Sequence, residues 1–251
     1  MNRNFNMKIF PGLIMLLLLA TSVQAELAYI NQIADFTQTD ITFAGSGNGQ
    51  QFCAPVAVSN SLVTMDGSYR QLEMVSLLAS SNYMNTSLVN GTGTTGVLRG
   101  VNRIAHEMFG GYTLLEYQGW RKHPKKYSTG NRLPDLDRLK SAISNRSAAW
   151  LNVGWYRYHR QKNEYRRIGG HWVTLAGFGE GRLVIHDPAP RAGSAFANEF
   201  VEFEVIKDGL LVGDKAGLPV EARGYLKLEN GFHIKRGADF AILDGVVFFR
   251  R

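Results

Sequence analysis

One cysteine, one histidine and one aspartate are placed in this sequence so that they could act together on an amide bond. Cys53 is the only cysteine among 251 residues, and it stands at the start of a segment with helical periodicity. Unpaired N–H groups and the helix dipole favour a thiolate at the first turn of a helix. The position of Cys53 therefore predicts a nucleophile, and a small buried apolar residue is the structural alternative.

The candidate for the base that activates this thiol is His171. Gly169 and Gly170 precede it and permit another segment to approach closely, and an apolar run typical of a strand follows it. Nearby cations or the lack of these glycines make four other histidines weaker candidates. They fall in a predicted helix, in two basic segments predicted to be loops, and in a predicted late strand: His106, His123, His159 and His233.

Asp187 is the candidate for the group that orients the histidine. It ends a second apolar run, 182–186, which a glycine-rich turn joins to the run that His171 begins. In such a hairpin the two side chains lie close together, and a carboxylate that accepts the second imidazole N–H fixes the tautomer needed for proton transfer. The alternative for Asp187-Pro188 is an ordinary turn.

A zinc site built from His171, His186 and Asp187 is the competing hypothesis for these residues. Strand alternation places His186 and Asp187 on opposite faces, and the sequence has no HExxH motif and no paired cysteines. We therefore predict no metal and no other cofactor.

The elements that must position these residues differ between the two halves of the chain. Apolar residues at steps of three or four predict helices, and short apolar runs bounded by glycine, proline or charge predict strands. The first predicted helix begins at Cys53 or just after it. Three further helices are predicted at 71–78, 96–109 and 134–143. The predicted strands cover 148–156, 171–178, 182–186, 200–206, 223–228 and 239–249. A helical first half and a β-rich second half indicate an α+β domain.

Three separated motifs carry a resemblance to a known family. They are QQFCAPVAVSNSL at 50–62, GGHWVTLAG at 169–177 and VIHDP at 184–188. Together they resemble papain-like cysteine peptidases of the bacteriocin leader-processing type and their secreted relatives, and phytochelatin synthases show a weaker version of the same order.

The resemblance implies a papain-like fold, in which the nucleophile at a helix N-terminus packs on an antiparallel sheet. It also implies a Cys-His-Asp triad of Cys53, His171 and Asp187 that cleaves a peptide or related amide bond without a metal. The sequence departs from the family pattern at two positions: Ala54 replaces the usual glycine after the cysteine, and Gly47 stands where an oxyanion glutamine is expected. The nearby substitutes are Gln50 and Gln51, with Asn48 as a third choice, and the Cys53 backbone N–H is the second donor.

The first 25 residues have the features of a secretory signal peptide. Arg3 and Lys8 precede a short apolar run, and Ala25 ends a small-residue cleavage site. We therefore predict a secreted or periplasmic protein in which residues 26–251 form one hydrolase domain without a membrane span. A hydrophobic content of 45% and a charged content of 20% suit such a globular domain.

The net charge of +7 predicts attraction to anionic partners, such as cell-wall polymers, lipid headgroups or acidic substrates. Much of the excess lies in the segments 121–126 and 157–167, which are predicted to be solvated basic loops. Because 157–167 leads directly to His171, it is also predicted to border the substrate cleft. No motif for nucleic-acid binding is present.

The predicted function is hydrolysis of peptide or isopeptide bonds in a peptide or protein substrate. A cell-wall amidase, or an acyltransferase or deamidase using the same thiol, remains an alternative. A non-catalytic binding module that retains the fold is a third alternative.

Overall fold

The structure is a computed structural model that describes residues 27–30, 32–39, 49–189, 199–213 and 218–251. The predicted signal peptide, Gly47 and Asn48 lie outside the described residues. The chain has a mixed α/β architecture with a few helices and one large sheet, and the helices α1 to α3 come before the main strands. This order agrees with the α+β prediction.

Four α-helices lie in the described part of the chain, close to the predicted positions. They are α1 Cys53–Met65, α2 Gln71–Ala79, α3 Thr94–Phe109 and α4 Leu136–Ser141. The fourth is shorter than predicted, because Asp135 caps it by accepting hydrogen bonds from the Asp137 and Arg138 N–H groups. None of these helices combines the length and the apolar character that crossing a membrane would require.

The described residues form ten β-strands. They are β1 Ala28–Tyr29, β2 Leu114–Gly119, β3 Ser147–His159, β4 Glu164–Gly179, β5 Arg182–His186, β6 Glu199–Val205, β7 Leu210–Val212, β8 Val220–Glu221, β9 Leu226–Leu228 and β10 Phe240–Arg250. The six predicted strands correspond to β3, β4, β5, β6, β9 and β10. The other four strands were not predicted, and three of them have only two or three residues.

The six predicted strands pair in a closed ring. β3 pairs with β4, then β5, β6, β9 and β10 follow in turn, and β10 pairs again with β3, with every pairing antiparallel. Alternate side chains of these strands, such as Leu151, Val173 and Leu243, form one buried apolar cluster inside the ring. A six-stranded barrel is too narrow to hold more than side chains, so the interior is a packed core.

The helices α1 to α3 pack on the outside of this barrel. Trp150 of β3, Trp172 of β4 and Phe249 of β10 point outward into a second buried cluster that also contains Val58 and Leu62 of α1. Period-two alternation thus gives β3 and β4 two apolar faces, one for the barrel and one for the helices. The helix that begins with Cys53 is therefore fixed against the strand that carries His171.

The prediction of a solvated basic loop at 157–167 was wrong. These residues continue β3 and β4 into a hairpin that turns in a 3-10 segment, Arg160–Lys162. The tyrosines of this hairpin explain the strands, because Tyr156 is fully buried and Tyr158 packs on Tyr165 with ring centroids 4.8 Å apart. Accordingly His159 ends a strand and does not lie in a loop. His233, predicted to lie in a strand, instead lies in the connection between β9 and β10.

Candidate active site

Cys53 is the first residue of α1 and is half-buried. The turn before it is closed by the Phe52 N–H, which donates to the Gly49 carbonyl oxygen at 2.9 Å. Gly49 adopts a φ of 71°, a left-handed conformation that favours glycine. The N-cap residue, Phe52, makes no side-chain capping bond to this helix, whose positive end favours a thiolate at its first residue.

A buried hydrogen-bond chain fixes α1 against β4 close to His171. The Thr174 hydroxyl donates to the Ala57 carbonyl oxygen at 2.7 Å, and the Asn60 side-chain amide donates to the Thr174 Oγ1 at 3.3 Å. Gln71 of α2 extends the chain by donating to Asn60 Oδ1 at 2.8 Å. Each such bond contributes about 1 kcal/mol net and, more importantly, fixes the register between the helix and the strand.

His171 and Asp187 form a direct hydrogen bond. The distance between His171 Nε2 and Asp187 Oδ1 is 2.5 Å, and both residues are buried, at 8% and 2% exposure. The Ala189 N–H donates to the same carboxylate oxygen at 2.9 Å. Because Nε2 faces Asp187, Nδ1 is the ring nitrogen that remains for Cys53.

Opposing effects determine the pKa of His171. Burial disfavours the charged ring and lowers the pKa, but the charge and hydrogen bond of Asp187 raise it, and Cys53 raises it further through its own hydrogen bond and charge. The net result is a pKa of about 10. The ring is therefore an imidazolium at neutral pH, stabilised by the Asp187 carboxylate and by the Cys53 side chain.

The segment 32–39 holds Asp187 and the turn before Cys53 in place. The Thr37 hydroxyl donates to the Ala189 carbonyl oxygen at 3.0 Å, and the Gln38 N–H donates to the Pro188 carbonyl oxygen at 2.7 Å. The buried side chain of Gln38 donates to the Gln50 carbonyl oxygen at 2.6 Å. Thr37 and Gln38 were not predicted from the sequence, because no local motif marks them.

Aromatic side chains cover the other face of the histidine. The indole of Trp155 stacks on His171 with ring centroids 5.9 Å apart, and Phe232 stacks on Trp155 at 5.5 Å. Trp155 pairs with Gly169 in the β3–β4 ladder, and a Cβ on Gly169 would lie 3.3 Å from its indole. The glycine before the histidine thus makes room for this ring.

Gln50 and Gln51, the predicted oxyanion donors, occupy different environments. Gln50 is exposed, whereas Gln51 is half-buried, and its Oε1 lies 3.4 Å from the point that a Cβ on Gly91 would occupy. The turn 87–91 therefore lies beside the residues that lead to Cys53. Neither placement tests the predicted oxyanion role.

The remaining histidines lie in separate environments. His186 Nδ1 is 3.1 Å from the Ala34 carbonyl oxygen, on a different partner from the His171 pair. His123, predicted to face solvent, is half-buried and packs on Tyr117 with ring centroids 4.7 Å apart. Within the described ranges, no three histidine, cysteine, aspartate or glutamate side chains are grouped so that they could hold a metal ion.

Comparisons with known proteins give a weak similarity. No family model matches the chain, and no curated protein matches it. Among solved structures, a Bacillus anthracis protein provisionally described as a C39-like peptidase aligns at 9% identity and a TM-score of 0.41, over 90% of this chain and 98% of that chain. A proposal for function therefore depends on the side chains of this chain itself.

Proposed function

We propose that this protein is an exported cysteine peptidase with a papain-like fold that hydrolyses peptide or isopeptide bonds. In this proposal Cys53 is the nucleophile, His171 the acid and base, and Asp187 the orienting group. The observation that carries it is the buried His171 ring, which bonds to Asp187 at 2.5 Å and whose pKa the Cys53 side chain at the start of α1 helps to raise. The antiparallel barrel against which α1 packs is consistent with the papain-like assignment.

In the acylation step the Cys53 thiolate attacks the carbonyl carbon of the scissile amide. The sulfur–carbon bond forms, and the carbonyl oxygen becomes an oxyanion. His171 then donates its Nδ1 proton to the amide nitrogen, so that the carbon–nitrogen bond breaks and a neutral amine leaves. Asp187 keeps the hydrogen bond to Nε2 throughout and holds the ring at the angle this transfer needs.

In the deacylation step water replaces the amine. His171, now neutral, removes a proton from the water through Nδ1 as the water attacks the thioester carbon. The carbon–sulfur bond breaks, the acid product leaves, and the thiolate–imidazolium pair is restored. Every proton is accounted for by one imidazole, so the reaction needs no metal or cofactor.

The oxyanion needs at least two hydrogen-bond donors. The Cys53 N–H at the uncapped start of α1 is the first in this proposal. The side-chain amide of Gln51 or Gln50 is the second. Loss of one such donor typically lowers kcat by about 10²- to 10³-fold, so Gln51→Ala and Gln50→Ala can be ranked by their kcat values.

The test is cleavage of a peptide library by wild type, Cys53→Ala and His171→Gln, with products identified by mass spectrometry. We expect new amino termini only with wild type, because one variant lacks the nucleophile of the acylation step and the other lacks its proton donor. Ser76→Ala is the matched control, since it removes a nucleophilic side chain of α2 whose hydroxyl donates to the Leu72 carbonyl oxygen of the same helix. Cleavage that survives Cys53→Ala would refute the mechanism.

The same samples separate the alternative functions. Release of fragments from purified peptidoglycan would identify a cell-wall amidase, and transfer of the acyl group to an added amine would identify an acyltransferase. A deamidase would release ammonia from side-chain amides. A wild-type thiol that reacts with iodoacetamide no faster than free cysteine, together with no cleavage, would favour a binding module.

Export is proposed from the signal-like segment 1–25 alone. Expression of the full sequence in a bacterial host should yield a processed protein outside the cytoplasm that begins near Glu26. Amino-terminal sequencing measures this directly, and an intact Met1 on cytoplasmic protein would refute it.

A further inference from the structure

The connection between β9 and β10 lies over the β3–β4 hairpin beside His171. Phe232 of this connection stacks on Trp155, which in turn stacks on His171. Further along, the Arg157 Nε–H donates to the Gly237 carbonyl oxygen at 2.8 Å, and the Tyr158 N–H donates to Asp239 Oδ2 at 2.9 Å. Three separate contacts thus fasten the connection to the hairpin.

These contacts bring the ammonium group of Lys235 close to the proposed base. Lys235 Nζ lies 3.8 Å from the point that a Cβ on Gly169 would occupy. Gly169 precedes His171 by two residues on the same strand and the same face, a distance of about 7 Å along the strand. The exposed Lys235 side chain therefore places a positive charge directly beside the candidate active site.

This charge is not balanced by neighbouring carboxylates. Among the described residues Lys235, Arg236 and Arg157 are exposed, and none of the three forms a salt bridge. The acidic side chain of the connection, Asp239, is held by the Tyr158 N–H at 2.9 Å and forms no salt bridge with Lys235. On the hairpin, by contrast, Arg166 is paired with Glu164 at 2.9 Å.

We propose that Lys235 forms a subsite for a substrate carboxylate beside His171. Because Lys235 Nζ lies beside Gly169, two residues from His171 on the strand, we expect the carboxylate within a few residues of the scissile bond. It belongs either to an aspartate or glutamate side chain or to the carboxyl terminus of the substrate. This inference rests on the proposed peptidase function and names its substrate class.

The subsite is local, and the basic hairpin as a whole is not the binding surface. Val153 pairs with His171, and His159 pairs with Glu164 at the hairpin tip. Six residues of strand separate the two pairs, so Arg160 and Lys162 at the tip lie about 20 Å from the base. Charges at that distance from the bound substrate are largely screened at physiological salt.

The test uses binding to the Cys53→Ala protein, so that it does not depend on turnover. Four alanine–glycine hexapeptide pools carry an uncharged dansyl label, and their affinities are measured by fluorescence anisotropy. One pool has glutamate at each position in turn and an amidated end, one has lysine in the same way, one is neutral with a free carboxylate, and one is neutral and amidated. The two carboxylate pools separate a side-chain source from a terminal source.

We expect one carboxylate pool to bind about fivefold more tightly than the neutral amidated pool, as for a partly exposed charge pair. Lys235→Gln should abolish this preference, and Lys235→Glu should reverse it in favour of lysine. Arg160→Glu is the matched control, because it makes the same change in net charge at the hairpin tip, and it should leave the preference unchanged. Raising the salt concentration from about 0.05 M to about 0.5 M should weaken the preference.

Equal binding of the glutamate, free-carboxylate and lysine pools, including no binding of any, overturns the subsite. If Lys235→Glu and Arg160→Glu change the carboxylate preference equally, the subsite is also overturned, and a diffuse basic surface that binds an anionic polymer is indicated. Wild-type cleavage of the library without any acidic preference refutes the subsite but leaves the peptidase proposal intact. Carboxylate binding that depends on Lys235, without cleavage of any peptide, refutes the peptidase proposal but leaves the subsite intact.

Discussion

At His171 burial and a neighbouring carboxylate act in opposite directions on one imidazole ring. Burial alone would lower the pKa below its ordinary value of 6.5, yet the Asp187 charge and hydrogen bond, with a further contribution from Cys53, raise it to about 10. Proton donation to a leaving amine needs the imidazolium form. The Asp187 carboxylate therefore keeps the proposed acid charged over the whole neutral range.

Asp187→Asn should shift the pH dependence of catalysis. The substitution removes the main effect that raises the pKa of His171 and leaves the burial that lowers it, so the ring loses its proton at a lower pH. We expect the alkaline limb of the kcat/KM profile to move from near pH 10 toward neutral pH. We also expect kcat/KM at neutral pH to fall by about 10²-fold or more. Steady-state kinetics on a cleaved library peptide measures both changes.

Asp208→Asn is the control for this prediction. Asp208 is exposed and lies in the turn after β6, so the substitution removes the same charge away from the histidine. Its profile should superimpose on that of wild type. An alkaline limb that stays in place in Asp187→Asn would show that Asp187 does not set the pKa of His171.

The residues with reactive side chains could be predicted from the sequence, whereas the residues that hold them could not. Cys53, His171 and Asp187 stand out by residue type and by the elements that begin or end at them. Thr37 and Gln38 form hydrogen bonds with a turn that is distant in the sequence. Thr37 and its partner Pro188 are 151 residues apart. No local pattern records such a contact, because it exists only after the barrel has brought β5 beside the amino-terminal segment.

The β3–β4 hairpin shows how charge misled the prediction for an element. Arg157 and Arg166 face each other across the ladder and are exposed, while the tyrosines on either side of them point to the other face. Alternation of tyrosine with arginine is typical of a half-buried strand, but the high local charge favoured a loop. A strand meets both requirements at once, because it buries Tyr156 on one face and leaves the arginines solvated on the other.

The hairpin is also fixed by a buried ion pair with β10. Arg167 Nε donates to Asp244 Oδ2 at 2.6 Å, and the two side chains are 7% and 0% exposed. The Trp120 indole N–H donates to Asp244 Oδ1 at 2.9 Å, and the Tyr156 hydroxyl donates to the same oxygen. Gly154 has to be glycine here, since a Cβ would lie 2.6 Å from Asp244 Oδ2.

Asp244→Asn should strongly destabilise the fold. The substitution keeps the shape but removes the negative charge opposite the buried Arg167 guanidinium, and breaking a buried pair in this way costs about 3–5 kcal/mol in the free energy of unfolding. Urea denaturation measures the change. Glu73→Gln is the control, because its ion pair with Arg70 is exposed and contributes about 1 kcal/mol or less. A loss in Asp244→Asn no larger than in Glu73→Gln would contradict the structural role.

For the whole molecule, the strands of the barrel could be predicted but their closure could not. Each of the six strands has a local signature, namely an apolar run bounded by turn residues. Closure joins β3 to β10 through pairs such as Val247 with Trp150, with a bulge between Leu243 and Gly245. The other strands of the ring come from the chain between β3 and β10, so no local pattern records this pairing. Strands of two or three residues, such as β1 and β8, carry too little pattern to be predicted at all.

The buried His171 should also make the stability of the whole molecule depend on pH in a defined direction. Its pKa is about 10 in the folded protein and 6.5 when unfolded, so the folded state binds the proton more tightly. The resulting stabilisation is fully present below about pH 6.5 and is lost as the pH rises toward 10.

We expect the difference in the free energy of unfolding between wild type and His171→Gln to shrink over this range, as measured by urea denaturation at several pH values. Taking the difference removes the contribution of the lysines and tyrosines to the pH dependence, because these groups titrate in both proteins. A difference that is constant from pH 6 to about pH 10, or that grows with pH, would mean that the folded protein does not hold the His171 proton, and the charged pair with Asp187 would then be wrong.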